Sequence, residues 1–131
     1  MHPDWIDLSS FSDPRGQLVA AEAGSHIPFA IARVFYILDV DTSKPRGFHA
    51  HREGELVAVC VRGHCDFVLD DGHDKLSVRL EGPARGLLVR PMIWHEMHDF
   101  SPGCILLVFA SNTYDEADYI RDYAHFTKET R

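Results

Sequence analysis

Short apolar runs separated by turn-forming residues follow one another along most of the chain. Residues 31–40 and 56–62 are rich in β-branched and aromatic side chains, and residues 104–110 form a further apolar run. Such side chains suit a pleated strand, whereas the Gly, Pro and Asp residues between the runs suit turns. Strands that recur about every 8 to 12 residues predict an all-β sandwich or barrel.

The C-terminal region has a different pattern. Residues 115–126 place Tyr119, Ile120, Tyr123 and Phe126 at helical spacing, and acidic residues occupy the first turn. Negative charge near the start of a helix is favourable because it meets the positive end of the helix dipole. The pattern therefore predicts a short C-terminal helix whose aromatic side chains pack on the barrel.

Length and charge limit the classes of function. With 131 residues, of which 45% are hydrophobic, residues 1–131 are expected to form a single domain with one core. The net charge of −7 and the lack of a basic run argue against nucleic-acid binding. No apolar stretch reaches the roughly 18 residues of a membrane span and no leader pattern opens the chain, so a cytoplasmic location is expected.

The three cysteines favour a structural role. Cys60, Cys65 and Cys104 lie within apolar runs and lack the Cys-x-x-Cys spacing of a zinc or redox site. They are expected to be buried as small hydrophobic side chains.

The most informative motif is a pair of histidines at the start of an apolar run. In a strand, His49 and His51 point to the same face, with their Cα atoms about 7 Å apart. Two such imidazoles can bind a metal ion or carry out acid/base chemistry. Alternatively, both could face solvent at the edge of a sheet.

The metal alternative requires a carboxylate close to the pair. A cupin metal site has a Glu soon after His-x-His and a further His from a later strand. That Glu follows the second His at one of two distances, and Glu55 lies at the shorter of them. Counting back from Gly63, however, puts Leu56 at the carboxylate position. An apolar side chain is therefore expected to face inward. His95 is the candidate for the late histidine. The pattern thus favours chemistry without a metal.

Several blocks together resemble one enzyme family. They begin at Arg33 (Arg-Val-Phe-Tyr-Ile), at Arg46 (Arg-Gly-Phe-His-Ala-His), at Pro91 (Pro-x-x-Trp-His-Glu-Met-x-x-Phe-Ser) and at Ala110 (Ala-Ser-x-x-Tyr-Asp-Glu-x-Asp-Tyr-Ile-Arg-x-Tyr). The sequence is similar to the nucleotide-sugar 3,4-ketoisomerases from about residue 13 to residue 126. It departs from them at Leu56, where a Gln is expected in the family, and at Arg90, where a small residue is common.

The resemblance implies a cupin-type jelly roll that acts on dTDP-4-keto-6-deoxyglucose. The enzyme would move the ketone from C4 to C3 through an enediolate and would need neither an organic cofactor nor a metal. The product would supply the biosynthesis of a 3-amino-3,6-dideoxyhexose for surface polysaccharide. The resemblance also implies a homodimer, often with exchanged N-terminal strands.

The resemblance and the chemistry together imply roles for three side chains. The carbonyl acidifies the C3 hydrogen, and histidine, with an ordinary pKa of roughly 6.5, suits a base that works near neutral pH. We expect His49 to be the carbon base and His51 the proton shuttle, although the reverse order is open. Tyr36 is expected to donate its hydroxyl to a sugar oxygen, and its alternative role is that of a core aromatic.

Arginines are the expected ligands of the diphosphate because the guanidinium fork matches phosphate oxygens. Arg33 and Arg46 belong to the matching blocks, and Arg15 in the Pro-Arg-Gly turn is a weaker candidate; each could instead be a solvated surface residue. Trp94 is a candidate for stacking on the thymine and His95 for lining the pocket, and both could instead be packing residues.

Three alternatives remain from sequence alone. A 3,5-epimerase would use the same substrate and a His base but leave the ketone at C4. A metal-dependent cupin enzyme would need a bound ion. A sugar-binding cupin would release the nucleotide sugar unchanged, since fold alone does not establish catalysis.

Overall fold

Two antiparallel sheets face each other in the computed structural model, which describes residues 1–131. The strands of the first sheet are Asp4–Asp7 (β1), Arg33–Ile37 (β4), Leu56–Arg62 (β6), Arg85–Val89 (β9) and Ile105–Ala110 (β11). The strands of the second sheet are Arg46–His51 (β5), His64–Asp70 (β7), Lys75–Glu81 (β8), Trp94–His98 (β10) and Tyr119–Ile120 (β12). Two further strands, Ser9–Asp13 (β2) and Gly16–Ala20 (β3), form a separate hairpin.

The strand order is that of a jelly roll. The first sheet runs β1-β9-β6-β11-β4 and the second runs β12-β5-β10-β7-β8, so most neighbours in space are not neighbours in sequence. The inward-facing residues of both sheets meet in one cluster of 15 buried side chains, which includes Phe67, Leu87 and Leu106. The predicted cupin-type jelly roll is confirmed. No helix is long and apolar enough to cross a membrane.

A second apolar cluster covers part of the outer face of the first sheet. Leu8 and Ile27, from the N-terminal region, pack there on Val57, Val59 and Leu88. The covering stops before the edge strand β4, whose outward side chains remain exposed. One margin of this sheet is therefore left apolar and open.

The predicted short C-terminal helix is present, but its bounds differ from the expected ones. Residues 115–126 do not form one helix: a 3-10 helix at Glu116–Asp118 is followed by β12, and the α-helix, α1, spans Tyr123–Glu129. The backbones of Tyr119 and Ile120 pair with β5 instead of continuing a helix. Asp122 then caps α1 because its side chain accepts hydrogen bonds from two backbone N–H groups of the first turn.

Two other predictions concern strand length and the thiols. The strand expected at residues 31–40 is shorter, because β4 pairs with β11 only over Arg33–Ile37.

The three cysteines are free and buried as predicted, and the Sγ atoms of Cys60 and Cys104 lie 3.3 Å apart at a hydrogen-bonding contact.

Candidate active site

A cavity of about 190 Å³ opens between the two sheets. The first sheet contributes apolar side chains to its wall, among them Phe35, Ile37 and Leu56. The second sheet contributes His49 and His51 from β5 and the C-terminal segment adds polar groups at the rim. The cavity is thus apolar on one side and lined by titratable groups on the other.

Three imidazoles form the polar wall. His95 on β10 lies opposite His49 in the strand register, so both rings face the cavity beside His51. The ring centroid of His49 is 5.1 Å from that of His51 and 4.5 Å from that of His95. The predicted proximity of the first two histidines is observed, and the third joins them from the neighbouring strand.

A bulge in β5 determines which side chains share this wall. Gly47 and Phe48 have positive φ angles of 92° and 62°, and the pairing with β10 shifts there by one residue. A bulge of this kind inserts an extra residue and re-aims its neighbours. Arg46 consequently lines the cavity together with His49, although simple alternation would place residues three apart on opposite faces.

Burial keeps the three imidazoles neutral. It lowers the pKa of His49 to about 4, and the nearby His51 contributes in the same direction. Burial and the two neighbouring imidazoles lower the pKa of His95 to about 3. Burial also lowers the pKa of His51, but a hydrogen bond to Asp118 opposes that shift. Near neutral pH the cavity therefore presents unprotonated ring nitrogens that can accept a proton.

His51 is the histidine of this group that contacts a carboxylate. Its Nδ1 lies 3.2 Å from Oδ2 of Asp118, and both side chains are buried, with exposed fractions of 3% and 8%. Asp118 also accepts hydrogen bonds from the backbone N–H groups of Glu53 and Gly54. Burial works against the ionised form of Asp118, but these N–H donors lower its pKa.

Positive charge surrounds the rim of the cavity. Arg46 and Arg121 both line it and both are exposed. The guanidinium of Arg121 lies 4.3 Å from the ring centroid of Tyr119 and pairs with Glu116 at 2.6 Å. The Arg121 pair lowers the pKa of the Glu116 carboxyl to about 2.

Arg33 lies close to the same rim. Its side chain follows the inward face of β4, since Phe35, two residues later, lines the cavity. The guanidinium lies 5.2 Å from the ring centroid of Phe35 and 5.8 Å from that of Tyr114, and its buried Nε has no hydrogen-bond partner. Arg33 is therefore placed where an anionic ligand could satisfy that donor.

Arg33 is near the cavity without lining it, and three other predicted site residues lie away from it. Tyr36 is 65% exposed on the outer face of β4, because alternation turns it away from Phe35 and Ile37. Arg15 is exposed in the turn between β2 and β3 and pairs with Asp13. Trp94 is buried against Phe126 of α1, so its ring cannot stack on a ligand in the cavity.

Sequence reasoning missed three residues of the site. The sequence pattern places Tyr119 in a packing helix and assigns no role to Arg121 or Asp118. The strand pairing of β12 with β5 turns Tyr119 towards the cavity, where its ring lies 4.4 Å from the His51 ring. Tyr119 and Ile120 are of residue types that favour strands, but they also fit the helical spacing, so the local pattern could not decide between the two.

The three imidazoles are also the group in the cavity that could hold a metal ion. Their ligand nitrogens all lie within 4.8 Å of one another. Leu56 lines the cavity at the position where a carboxylate ligand would be expected, as its place in the sequence predicted. The site thus offers neutral nitrogen ligands without an adjacent inward-facing acid.

Comparison with known proteins agrees with this geometry. The family model described as FdtA: WxcM-like, C-terminal, matches residues 1–131. The TDP-4-oxo-6-deoxy-alpha-D-glucose-3,4-oxoisomerase of Aneurinibacillus thermoaerophilus is 51% identical over 123 residues, which are 94% of this chain and 88% of that protein.

Solved structures give the same result. A 3,4-ketoisomerase from Helicobacter canadensis is 42% identical, with a TM-score of 0.95, over 99% of this chain and 98% of that one. A histidine variant of QdtA, the 3,4-ketoisomerase of Thermoanaerobacterium thermosaccharolyticum, was solved with TDP-4-keto-6-deoxyglucose. It is 38% identical, with a TM-score of 0.95, over 98% of this chain and 93% of that one. The chain therefore belongs to the WxcM-like, C-terminal family of FdtA-type proteins, together with the sugar 3,4-ketoisomerases.

Proposed function

We propose that this protein is an isomerase that moves the ketone of TDP-4-keto-6-deoxyglucose from C4 to C3. The observation that carries the proposal is the convergence of three neutral imidazoles on one cavity rimmed by arginines. Its relatives support the same activity, since they are named as 3,4-oxoisomerases and 3,4-ketoisomerases of TDP-linked sugars.

The reaction is a transfer of protons without net oxidation. An imidazole nitrogen takes the proton from C3, and the electron pair of the broken C–H bond enters an enediolate across C3 and C4. The O3 proton passes to O4, and a proton returned to C4 leaves the ketone at C3 and a hydroxyl at C4. His49 and His51, with centroids 5.1 Å apart, are placed to divide the removal and the return of protons.

His95 and Tyr119 complete the wall around these two histidines. His95 is buried and faces the same cavity, which suits a group that confines the sugar beside the two working imidazoles. The Tyr119 ring lies 4.9 Å from the His49 ring and lines the same space. We propose Tyr119 as the hydroxyl donor to a sugar oxygen in place of Tyr36, whose side chain points away from the cavity.

The arginines near the cavity are suited to bind the diphosphate of the nucleotide. Arg46 and Arg121 line the cavity of a protein whose net charge is −7, and Arg33 lies beside Phe35, which also lines it. Guanidinium groups form paired hydrogen bonds with phosphate oxygens, and closely spaced cations favour a ligand with more than one negative charge. QdtA was solved in complex with TDP, a ligand of this kind.

Residues 1–131 would act as one domain within a cytoplasmic homodimer. The outer face of β4 supports the dimer: Val34 and Tyr36 are exposed on it, Leu38 is exposed directly after it, and β4 is the last strand of its sheet. Exposed apolar side chains on an edge strand are normally covered by a partner. The product would enter the biosynthesis of a 3-amino-3,6-dideoxyhexose.

NMR of the protein with TDP-4-keto-6-deoxyglucose in D₂O tests this function. A 3-keto product that carries deuterium at C4 is expected, both with and without a chelator. Deuterium at C3 and C5 with the ketone still at C4 would show an epimerase instead. A substrate that stays unchanged would favour a binding protein, and activity lost to the chelator would favour a metal enzyme.

A further inference from the structure

We propose that Asp118 is a positioning residue that fixes His51 in the Nδ1–H tautomer, so that Nε2 is the nitrogen that accepts the substrate proton. The proposal rests on the proposed isomerase function for its catalytic consequence, but the tautomer itself is a property of the free protein. Asp118 does not line the cavity and acts only through the imidazole.

Both carboxylate oxygens of Asp118 accept hydrogen bonds from neighbouring N–H groups. Oδ1 accepts from the backbone N–H of Glu53 at 2.8 Å, and Oδ2 accepts from the backbone N–H of Gly54 and from Nδ2 of Asn112, each at 3.2 Å. An ionised carboxylate can only accept hydrogen bonds. Since Oδ2 also lies 3.2 Å from His51 Nδ1, that nitrogen must carry the proton in this contact.

The surrounding backbone holds the carboxylate in place. The N–H of Arg52 donates to the backbone carbonyl of Asp118 at 2.8 Å. The loop after β5 therefore forms hydrogen bonds with both the main chain and the side chain of Asp118. Gly54 allows this close approach: a Cβ there would lie 2.8 Å from Asp118 Oδ2 and 2.9 Å from Asn112 Oδ1. The position of the acid is thus built into the fold before any ligand binds.

The other two imidazoles lack this arrangement. The buried Nδ1 of His49 has no hydrogen-bond partner. The Nδ1 of His95 lies 3.3 Å from the carbonyl oxygen of Ile93, a neutral acceptor. A carboxylate stabilises an imidazolium better than a carbonyl does, because it adds a full opposite charge at the same contact. Among the three, His51 is therefore the side chain best prepared to hold a proton.

This arrangement assigns the proton-transfer step. The C3–H bond breaks, its electron pair passes into the enediolate, and the proton goes to Nε2 of His51. The resulting imidazolium remains paired through Nδ1–H with Asp118 until Nε2 returns the proton to C4, while His49 moves the O3 proton to O4. His51 then acts as the carbon base and His49 as the shuttle, which is the reverse of the order first expected from the sequence.

The tautomer can be measured without substrate. Two-bond ¹⁵N–¹H correlation spectra of ¹⁵N-labelled protein at neutral pH distinguish a protonated Nδ1 from a protonated Nε2. We expect the ring of His51, assigned from its loss in His51→Gln, to carry its proton on Nδ1. A proton on Nε2 in the wild-type protein would overturn the proposal and would leave the isomerase function untouched.

Asp118→Asn tests the consequence for catalysis. Asparagine carries no negative charge, so an imidazolium at His51 would lose its opposite charge in either orientation of the amide. We expect kcat to fall at least about tenfold, with KM changed less than about threefold, since loss of a positioned general base costs about that much or more.

Two further variants keep the test decisive. Asp115→Asn makes the same exchange three residues earlier in the same segment, where asparagine also caps the 3-10 helix, and should leave kcat and tautomer unchanged. Gly54→Ala retains the charge of Asp118 but displaces its carboxylate, and should also lower kcat. Wild-type kcat in both Asp118→Asn and Gly54→Ala would contradict the role of Asp118.

Discussion

Arg46 and His49 face the same cavity although they are three residues apart in one strand. The bulge at Gly47 and Phe48 makes this possible, because it adds one residue to β5 without a partner on β10. A positively charged group for the substrate and a proton-transfer group are thereby brought to one wall. Bulges that re-aim side chains in this way are common beside active sites.

Gly47→Ala should therefore damage both stability and turnover. A Cβ at residue 47 would lie 3.0 Å from the carbonyl oxygen of His95, and the φ angle of 92° is unfavourable for any residue with a Cβ. We expect the free energy of unfolding to fall by more than the roughly 1–2 kcal/mol that a left-handed conformation costs. Urea denaturation and the steady-state rate measure the two effects.

Gly82→Ala is the matched control for that substitution. Gly82 has a similar φ of 90°, but a Cβ there would meet nothing within 4 Å. Gly82→Ala should lower the free energy of unfolding only by the cost of the left-handed conformation, and it should leave turnover unchanged. Equal losses of stability in the two variants would show that the contact with β10 is not important.

Stability should fall as the solution is acidified below about pH 6.5, in part because of His95. In the unfolded chain His95 takes up a proton near its ordinary pKa of 6.5, whereas burial lowers its pKa in the fold to about 3. Between these values the unfolded state binds more protons, so each unit of acidification removes about 1.4 kcal/mol of stability for this residue.

His95→Gln should flatten this pH dependence. Urea denaturation at pH 7.5, 6 and 5 should give a shallower loss of stability in the variant than in the wild type. His2→Gln, in an exposed N-terminal residue, serves as the control and should leave the wild-type slope unchanged. Parallel curves for His95→Gln and wild type would contradict the assignment of the slope to His95.

Arg121→Gln should weaken binding of the nucleotide sugar. The guanidinium lies at the rim of the cavity on the Tyr119 ring, and a charge-assisted hydrogen bond to a phosphate is worth about 1.5–3 kcal/mol. We expect KM and the Kd of TDP to rise at least about tenfold, measured by kinetics and calorimetry, with a smaller change in kcat. Arg79→Gln, which breaks a surface pair with Asp66, is the control. An unaltered Kd in Arg121→Gln would place the diphosphate elsewhere.

The outer face of β4 should govern assembly rather than catalysis. Tyr36→Phe is expected to retain wild-type kcat, because the hydroxyl points away from the cavity. Tyr36→Glu should instead convert a dimer to monomer in light scattering coupled to size exclusion, since a charge would be buried in an apolar interface. Lys128→Glu on α1 provides a charge-changing control. A dimer that persists in Tyr36→Glu would exclude this face as the interface.

The sequence by itself determined the class of fold and the centre of the site. Strand patterns, turns and family motifs are local signals, so the jelly roll, the family and the shared face of His49 and His51 could all be predicted. The inward orientation of Leu56 followed from counting residues in the same strand pattern. For the two histidines and Leu56, alternation within one strand decides the result, whereas the jelly roll follows from the family motifs.

Only the tertiary structure decided how the remaining groups meet. Asp118 lies 67 residues from His51 in the chain, and it reaches that ring because β12 pairs with β5 instead of extending a helix. The choice between helix and strand for Tyr119 depends on a free sheet edge that no local pattern reveals. The bulge that turns Arg46 inward likewise depends on the register with β10. Contacts between distant segments stabilise these local conformations, and local sequence preference is too weak to fix them.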